Sequence, residues 1–309
     1  MNRWLAGALL TSQLVLLVLA SGSLPGLAGW PGAAVMALCI AVTTPYWSML
    51  HEAIHGVADR DPRVNEAAGR ALGILFGSPF VLLRTGHLLH HRFNRIAEVS
   101  EGYDANVTPR VLAAFRHYAT VLGGLYWAEV LGGLLLLLPQ RAWRRVLGGF
   151  GADPRFSAAA LAQLSKPSNR RAARMDAAAI LALYGGAFLL ARWELLAAAL
   201  CLRALLISFF DNAYHYGTAL GERRAARNLT LPAPLSAFIL HFNLHGVHHL
   251  EPWVPWFELP ARAAALDARW SGGLLAAAAM QLKGPIPLQR LQGSCGLADS
   301  GSQPRTPTT

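Results

Sequence analysis

Charged residues and cysteines are both scarce in this 309-residue sequence. Charged residues make up 14% of the chain and hydrophobic residues 54%, with a mean hydropathy of +0.34, whereas about a quarter of an ordinary soluble domain is charged. The composition therefore excludes such a domain and indicates a membrane-embedded protein. The three cysteines, Cys39, Cys201 and Cys295, are isolated from one another, so the sequence indicates neither a disulfide framework nor a thiolate metal site.

Acidic residues are also fewer than basic ones, which leaves a net charge of +10. In a membrane protein this excess is typical of cytoplasmic loops rather than of nucleic-acid binding. Basic residues are dense in the stretches 50–110 and 139–175, so we expect both to be cytoplasmic. The apolar segment 71–83 is too short to span a bilayer and is predicted to be interfacial or re-entrant.

Histidines, in contrast, form a pattern. Eight of the eleven fall into three short motifs, H-x-x-x-H, H-x-x-H-H and H-x-x-H-H, which comprise His51, His55, His87, His90, His91, His245, His248 and His249. Histidines three and four residues apart lie on one face of a helix, so each motif can direct its imidazoles to one point, as metal ligation requires. The three motifs together predict a metal site.

The first two apolar runs, near residues 4–22 and 31–49, are each long enough to span a membrane. The first follows Arg3 and is itself followed by small residues, so a cleaved signal peptide is the alternative to a retained span. Whether the first run is cleaved or retained, residue 23 lies on the outer side of the membrane. The second run then delivers His51 to the inner surface.

A further pair of spans is predicted at residues 176–212, as a hairpin with Arg192, Trp193 and Glu194 at its outer tip. All histidine motifs must lie on one side of the membrane to share a site, so an even number of crossings must separate them. A full crossing by the run at 118–138 would bring the number of crossings between the second and third motifs to three, which is odd. We therefore expect it to be re-entrant or in-plane; the alternative is a full crossing there and one long tilted span later.

Together these patterns predict an all-α membrane protein with about four transmembrane helices plus interfacial helices. The membrane domain is expected at residues 1–283. Residues 284–309 are rich in Gln, Gly, Ser, Pro and Thr, a composition that cannot bury a core, so this tail is expected to be disordered.

Two kinds of metal site fit the histidine motifs. HEAIH at 51–55 matches H-E-x-x-H, in which two histidines bind zinc and the glutamate, here Glu52, is the general base of a metalloprotease. A catalytic zinc takes three protein ligands and a water, which leaves most of the eight histidines unused, so an intramembrane zinc protease is the less favoured alternative. Eight or nine imidazoles suit two metal ions, and imidazole suits iron, copper, nickel and zinc alike.

The motifs resemble those of the membrane fatty acid desaturase superfamily, which also contains carotenoid ketolases and hydroxylases. The resemblance is carried by HEAIHG, GHLLHHRFNR and NLHGVHHLEPWVPWFELP, and it covers roughly residues 30–265. It implies a non-haem di-iron centre in a helical membrane domain, with the eight motif histidines as iron ligands. It also implies a ninth ligand, His215, which precedes the third motif at the end of a predicted span.

Four further residues are candidates for supporting positions. Asp211 and Asn212 precede His215 by four and three residues, so either can present an oxygen on the same helical face to hold a water or fix a tautomer. Glu52 is interpreted as an acceptor that orients a ligating imidazole. His241, four residues before the third motif, is interpreted as a donor to the site from the same helical face.

Two irons held by neutral imidazoles can activate O2 to attack an unactivated C–H bond. A site at the cytosolic mouth of the helices lets a lipid slide its acyl chain into the protein while its head stays near water. We therefore expect an O2-dependent oxidoreductase that introduces a double bond into the acyl chain of a lipid. Hydroxylation or ketolation of a lipid or carotenoid stays open as the alternative, because the outcome depends on sub-ångström positioning.

Electrons must come from a separate protein, because the sequence has no glycine-rich nucleotide fingerprint, no cysteine cluster for iron–sulfur binding and no recognisable haem domain. A ferredoxin, flavodoxin, rubredoxin or cytochrome is expected, and the basic loops offer a surface for such acidic carriers. We expect the protein in a bacterial inner (plasma) membrane, with its active site on the cytoplasmic side and without a nucleic-acid partner.

Overall fold

The structure is a computed structural model that describes residues 2–20, 29–149, 153–190 and 193–293. Its helices are α1 (Asn2–Ala20), α2 (Trp30–Ala41), α3 (Thr43–His55), α4 (Pro62–Phe76), α5 (Phe80–Phe93), α6 (Arg110–Ala119), α7 (Leu125–Leu135), α8 (Gln140–Gly149), α9 (Pro154–Leu164), α10 (Pro167–Leu190), α11 (Trp193–Ala213), α12 (Ala233–Phe238), α13 (His245–Leu250), α14 (Leu259–Ala265), α15 (Leu274–Met280) and α16 (Leu288–Gly293). The predicted helical fold is confirmed.

The described residues also contain four short strands: β1 (Gly102–Tyr103), β2 (Asn228–Thr230), β3 (Trp270–Gly273) and β4 (Ile286–Pro287). They form two parallel pairs. Gly102 lies opposite Ile286 in the β1–β4 pair, and Asn228 lies opposite Trp270 in the β2–β3 pair. Both pairs join segments that are far apart in the sequence, so they attach the C-terminal strands β3 and β4 to the earlier strands β2 and β1.

Five helical segments have the length and apolar composition to cross a membrane: Asn2–Ala20, Trp30–His55, Arg110–Leu135, Pro167–Leu189 and Trp193–Ala213. The first two and the last two correspond to the four predicted spans. Residue 192, at the predicted hairpin tip, lies outside the described residues. The remaining candidate, Arg110–Leu135, contains α6 and α7. The parity argument predicts that this stretch is re-entrant or lies in the plane of the membrane.

The contacts of α6 and α7 support the re-entrant or in-plane interpretation, although their composition permits a span. Near the start of the pair, His117 bonds to Gln281, to which Asn212 in the last turn of α11 also bonds. Just beyond its other end, Leu136 belongs to the same buried cluster as Ala173 in the first half of α10. Since α10 and α11 form a hairpin, both ends of the pair lie near the same end of that hairpin. The re-entrant or in-plane placement stays our prediction.

Helices α4 and α5 are bent by 98° relative to each other, so the predicted interfacial or re-entrant segment 71–83 forms a sharp turn. Gly77 ends α4 in the left-handed conformation, with φ of 102°, and its N–H bonds to the carbonyl of Gly73. Pro79 then precedes the first turn of α5. The bend brings α5 back towards α3, with which it packs.

Gly69 in α4 permits the close approach of the buried Phe80 ring, and its replacement by alanine should destabilise the protein. A Cβ at Gly69 would lie 2.4 Å from the ring, so we expect a loss of about 1–3 kcal/mol in the free energy of unfolding. Gly86→Ala in α5 is the control, because among the described residues no atom lies within 4 Å of its added Cβ. Thermal unfolding in detergent compares the two; equal stability of both variants would contradict the packing argument.

Helix α1 is bonded to distant parts of the fold. The Asn2 side chain donates to the carbonyl of Ala58 at 3.1 Å and accepts from the indole of Trp256 at 3.1 Å. Inside the bilayer region, Gln13 accepts a hydrogen bond from the buried guanidinium of Arg203. These contacts favour a retained span over a cleaved signal peptide. The small residues proposed for cleavage lie largely in the segment 21–28, outside the described residues.

The first part of the predicted disordered tail is folded. Strand β4 pairs with β1, and α16 follows it with Leu291 only 2% exposed. Residues 284–293 therefore pack on the membrane domain instead of leaving it. The remainder, 294–309 with Cys295, lies outside the described residues.

Candidate metal centre

The first histidine motif lies on the last turns of α3. His51 and His55 are four residues apart, and their ring centroids are 4.7 Å apart. Gly56 ends the helix directly after His55, because its left-handed conformation, with φ of 79°, caps the last turn. His51 is only 3% exposed. The end of a packed helix thus fixes both imidazoles.

The second motif lies on the last turns of α5. The Nε2 atoms of His87 and His91 are 3.0 Å apart. The helix ends at Phe93, and the buried Asn94 beyond it donates to the carbonyls of Arg223 and Ala225 at 2.9 and 3.1 Å. Asn94 therefore joins the end of α5 to the loop that follows α11.

The third motif occupies the short helix α13, which depends on contacts outside itself. The backbone N–H of Val247 donates to Asn228 Oδ1 at 2.9 Å. Gly246 is required here, because a Cβ would lie 2.8 Å from the carbonyl oxygen of Ala226. A helix of 6 residues is not stable alone, so strand β2 and its flanking loop hold this motif in place.

His215 lies just after α11, and its orientation is fixed by one carbonyl. Its Nδ1 is 3.3 Å from the oxygen of Ala225, the same oxygen to which Asn94 donates. A carbonyl only accepts, so Nδ1 carries the hydrogen and Nε2 keeps its lone pair. Burial lowers the pKa of His215 well below its ordinary value. The neutral ring can therefore present Nε2 to a metal.

The nine predicted histidines meet in two compact clusters, and every one of them belongs to one of the two. The first histidine group consists of His51, His55, His87, His91 and His248, and the second histidine group consists of His90, His215, His245 and His249. Within each group, one nitrogen from every ring lies within 4.8 Å of the others. The groups adjoin, because His91 stacks on His249 with ring centroids 4.2 Å apart.

Helix geometry explains how the motifs divide between the groups. Residues four apart differ by about 40° around a helix axis, whereas neighbouring residues differ by about 100°. The pair His87 and His91 accordingly stays in the first group, and the pair His245 and His249 stays in the second. The fourth position of each H-x-x-H-H motif, His90 or His248, joins the opposite group.

The spacing of the nitrogens fits metal ligation. Five Nε2–Nε2 separations within the groups lie between 3.0 and 3.2 Å. Two imidazole nitrogens at right angles, each about 2.1 Å from a shared metal, would be about 3.0 Å apart. The buried Nε2 atoms of His51 and His55 have no hydrogen-bond partner among the described residues. Unpartnered buried acceptors are costly unless an ion or water satisfies them.

Electrostatics also favours neutral rings in the third motif. Burial lowers the pKa of His245, His248 and His249 well below the ordinary histidine value, and the neighbouring imidazoles lower it further. Metal ligation requires the unprotonated nitrogen, so these shifts remove the competition between proton and metal at neutral pH. The clusters are therefore suited to divalent metals rather than to anions.

The fatty acid desaturase family matches residues 2–276, which include α1 and all nine clustered histidines. The chain belongs to the fatty acid desaturase family. The family is typically metal-dependent, in agreement with the two histidine groups. No curated protein matches the chain. Membership confirms the resemblance that the motifs indicate. Helix α16 lies beyond the matched residues.

Two carboxylates predicted to support the site have other partners in the structure. Glu52 Oε2 accepts the backbone N–H of Trp256 at 3.0 Å, so this carboxylate contacts the chain after the third motif rather than orienting an imidazole. Asp211 Oδ1 accepts the indole N–H of Trp47 at 3.0 Å. Both residues connect histidine-bearing segments, and neither belongs to the two groups.

The other two predicted supporting residues also lie outside the groups. Asn212 donates to the side chain of Gln281 at 2.6 Å. His241 contacts Ser236, with 2.9 Å between its Nδ1 and the hydroxyl oxygen. The turn at His241 is left-handed, with φ of 53°, and this breaks the helical register by which the sequence predicts a shared face with His245.

Sequence reasoning missed an ion pair that supports His215. The side chains of Arg95 and Glu101 are each 2% exposed and 2.7 Å apart. Glu101 also accepts the backbone N–H of Gly217 at 2.7 Å, and Arg95 donates to the carbonyl of Thr218. The pair thus holds the chain directly after His215. Its only signal in the sequence is that Arg95 closely follows the second motif.

Proposed function

We propose that this protein is an O2-dependent di-iron membrane oxidoreductase that introduces a double bond into the acyl chain of a lipid. The observation that carries the proposal is the pair of adjoining all-histidine groups in a member of the desaturase family. Each group would hold one iron, a metal that imidazole ligands suit. A single catalytic zinc needs three protein ligands, so the zinc protease interpretation of HEAIH leaves most of the clustered histidines without a role.

Bound iron would supply the reductive activation of O2 that attacks an unactivated C–H bond. The protein's own residues hold the imidazoles in place. A cavity of about 10 Å³ lies against Glu52 and His51 of α3 and His245 and His248 of the third motif, which is room for about one water molecule. The Ala225 carbonyl fixes the tautomer of His215. These contacts keep the ligand atoms in place before any substrate arrives.

We further propose that a separate acidic electron carrier, a ferredoxin, flavodoxin, rubredoxin or cytochrome, docks beside the second histidine group. Arg92 is exposed two residues after His90 of the second histidine group, and Arg223 and Arg224 are exposed in the loop whose Ala225 carbonyl bonds to His215. These three guanidinium groups place positive charge at the solvent edge of the site. Complementary charge accelerates the encounter with acidic partners.

The chain is an integral membrane protein, and we propose that the site lies on the cytoplasmic side of a bacterial plasma membrane. The basic segment 50–110 contains the first two histidine motifs, and the basic segment 139–175 follows it in sequence. By the positive-inside rule, segments of this kind remain in the cytoplasm. Labelling of a cysteine introduced at Arg63 from the cytoplasmic side only would support this orientation.

The proposal is tested by metal analysis together with lipid analysis in a bacterial host. We expect purified protein to carry one iron for each of the two histidine groups, and we expect induction to remove two hydrogens from the acyl chains of host lipids. Gain of one oxygen would instead identify a hydroxylase. Zinc in place of iron, at one ion per chain, would contradict the proposal.

A further inference from the structure

Helix α4 ends inside the protein at the α4–α5 bend, residues 73–80, where its last carbonyls need partners. The last four carbonyls of a helix have no donor within the helix, and the interior of a bilayer offers no water to replace it. The carbonyls of Gly73 and Ile74 accept backbone N–H groups of the turn itself. The carbonyls of Leu75 and Phe76 therefore depend on side chains from elsewhere.

Three other helices supply those side chains. The Tyr184 hydroxyl of α10 donates to the Leu75 carbonyl at 2.5 Å. The Tyr126 hydroxyl of α7 donates to the Phe76 carbonyl at 2.7 Å. Arg203 of α11 reaches both oxygens, because its Nη1 lies 3.1 Å from that of Leu75 and 3.4 Å from that of Phe76. The guanidinium thus bridges the two carbonyls that the turn leaves open.

Arg203 is a buried cation that no carboxylate balances among the described residues. It is 3% exposed, and it takes part in none of the ion pairs that the described part of the chain forms. Its Nη2 donates to the side-chain oxygen of the buried Gln13 in α1. The acceptors of its hydrogen bonds are therefore neutral, and the C-terminal end of α4 adds a partial negative charge of about half a unit.

The guanidinium lies about half a bilayer away from the histidines. Arg203 precedes Ala213, the last residue of α11, by ten residues, and Gln13 follows Asn2, the first residue of α1, by eleven. These separations correspond to about 15 and 16 Å, which is half of the roughly 30 Å of the hydrocarbon core. Both helix ends lie beside the site, because His215 follows α11 and Asn2 bonds to the chain beyond the first and third motifs. A charge at this depth is costly and marks a functional position.

Helix α5 connects the α4–α5 bend to both histidine groups. It begins at Phe80, and His91 lies eleven residues later, about 16 Å along the helix axis. Over this length a tilt of about 4° at the bend displaces His91 by about 1 Å, and a misplacement of about 1 Å can cost about 100-fold in turnover. His87 and His91 belong to the first histidine group and His90 to the second. One displacement of α5 therefore alters both groups.

We infer that Arg203 is a positioning residue for the metal centre. It joins α1, α10 and α11 to the end of α4 and thereby fixes the angle at which α5 presents its three histidines. The inference rests on the proposed function only in taking the two histidine groups as metal ligands. Lysine cannot fill the same role, because an ammonium group lacks the planar fork that reaches Gln13 on one side and the α4 carbonyls on the other.

The test loads the purified full-length protein with cobalt(II), whose visible absorption reports the geometry of its ligands. Arg203→Met and Arg203→Lys are compared with Leu16→Ala. Leu16 is 2% exposed, and its buried cluster belongs to α1, α2 and α11, so its truncation lowers the melting temperature without removing a donor to α4. We expect both Arg203 variants to show an altered cobalt spectrum and a cobalt affinity lower by about 10- to 100-fold. Leu16→Ala should keep the spectrum and the affinity of the unaltered protein.

Hydrogen–deuterium exchange of the α5 amides is a second readout that does not depend on bound metal. We expect faster exchange of α5 in both Arg203 variants and unchanged exchange there in Leu16→Ala. Tyr184→Phe removes one donor to the Leu75 carbonyl, so it should change both readouts in the same direction and by less. This milder variant carries the comparison if Arg203→Met fails to fold.

Two results would overturn the inference. The first is a cobalt spectrum and an α5 exchange rate that stay unchanged in the Arg203 variants. The second is an equal change of both in Leu16→Ala, which would show that loss of stability alone disturbs the site. Failure of the unaltered protein to bind cobalt would instead contradict the proposed metal centre, and the exchange of α5 would still test Arg203.

Discussion

Replacing His248 by alanine should abolish turnover while leaving the protein folded and inserted. Its Nε2 lies 3.1 Å from that of His91 within the first histidine group. Loss of a residue that only orients a ligand costs about 10- to 100-fold in metal affinity or activity, so loss of a ligand should cost more than about 100-fold. Product formation in membranes, iron content and a thermal melt together measure the effect.

His241→Ala is the matched control for this variant. His241 lies only seven residues from His248, but it belongs to neither histidine group and contacts Ser236 instead. We expect this variant to keep its iron and most of its activity. Full activity in His248→Ala, or equal losses in both variants, would contradict the assignment of the groups.

Glu101→Ala should destabilise the protein more than any exposed substitution. It leaves Arg95, whose side chain is 2% exposed, without its partner, and an uncompensated buried charge costs about 3–5 kcal/mol. It also removes the acceptor of the Gly217 backbone N–H, so the chain after His215 loses its support. We expect a lower melting temperature together with a reduced iron content.

Glu251→Ala removes a different ion pair and serves as the comparison. Glu251 pairs with Arg262, whose side chain is 43% exposed, and exposed pairs contribute about 0–1 kcal/mol. Its melting temperature should therefore stay close to that of the unaltered protein. A loss in Glu101→Ala no larger than that in Glu251→Ala would show that the Arg95–Glu101 pair does not support the site.

The clustering of the nine histidines follows largely from spacings that the sequence displays. Helical periodicity forces residues three and four apart onto one face, so the spacing within each motif is enough to predict that its imidazoles converge. The exchange of His90 and His248 between the groups follows from the same geometry. His215 was predicted only from the resemblance to the desaturase family. It lies thirty residues before His245, so no helical spacing relates it to a motif.

Contacts between distant segments could not be predicted in the same way. Glu52 bonds to Trp256, 204 residues later. Nothing in the sequence around either residue predicts this contact. Strand β4 could not be predicted from the sequence for a different reason. Its pairing with β1 uses backbone groups, which every composition provides, so the polar composition beyond residue 284 indicated a tail where a strand and a helix are folded.

The division of the motifs between the two groups has a consequence for biosynthesis. Four of the five members of the first histidine group lie before residue 92, whereas three of the four members of the second lie at or beyond His215. A ribosome that has released the first third of the chain has therefore already delivered most of one metal site and a single ligand of the other. Both sites remain incomplete until the third motif leaves the ribosome, because His248 belongs to the first histidine group and His245 and His249 belong to the second. At that earlier stage the first site lacks one ligand, whereas the second lacks three.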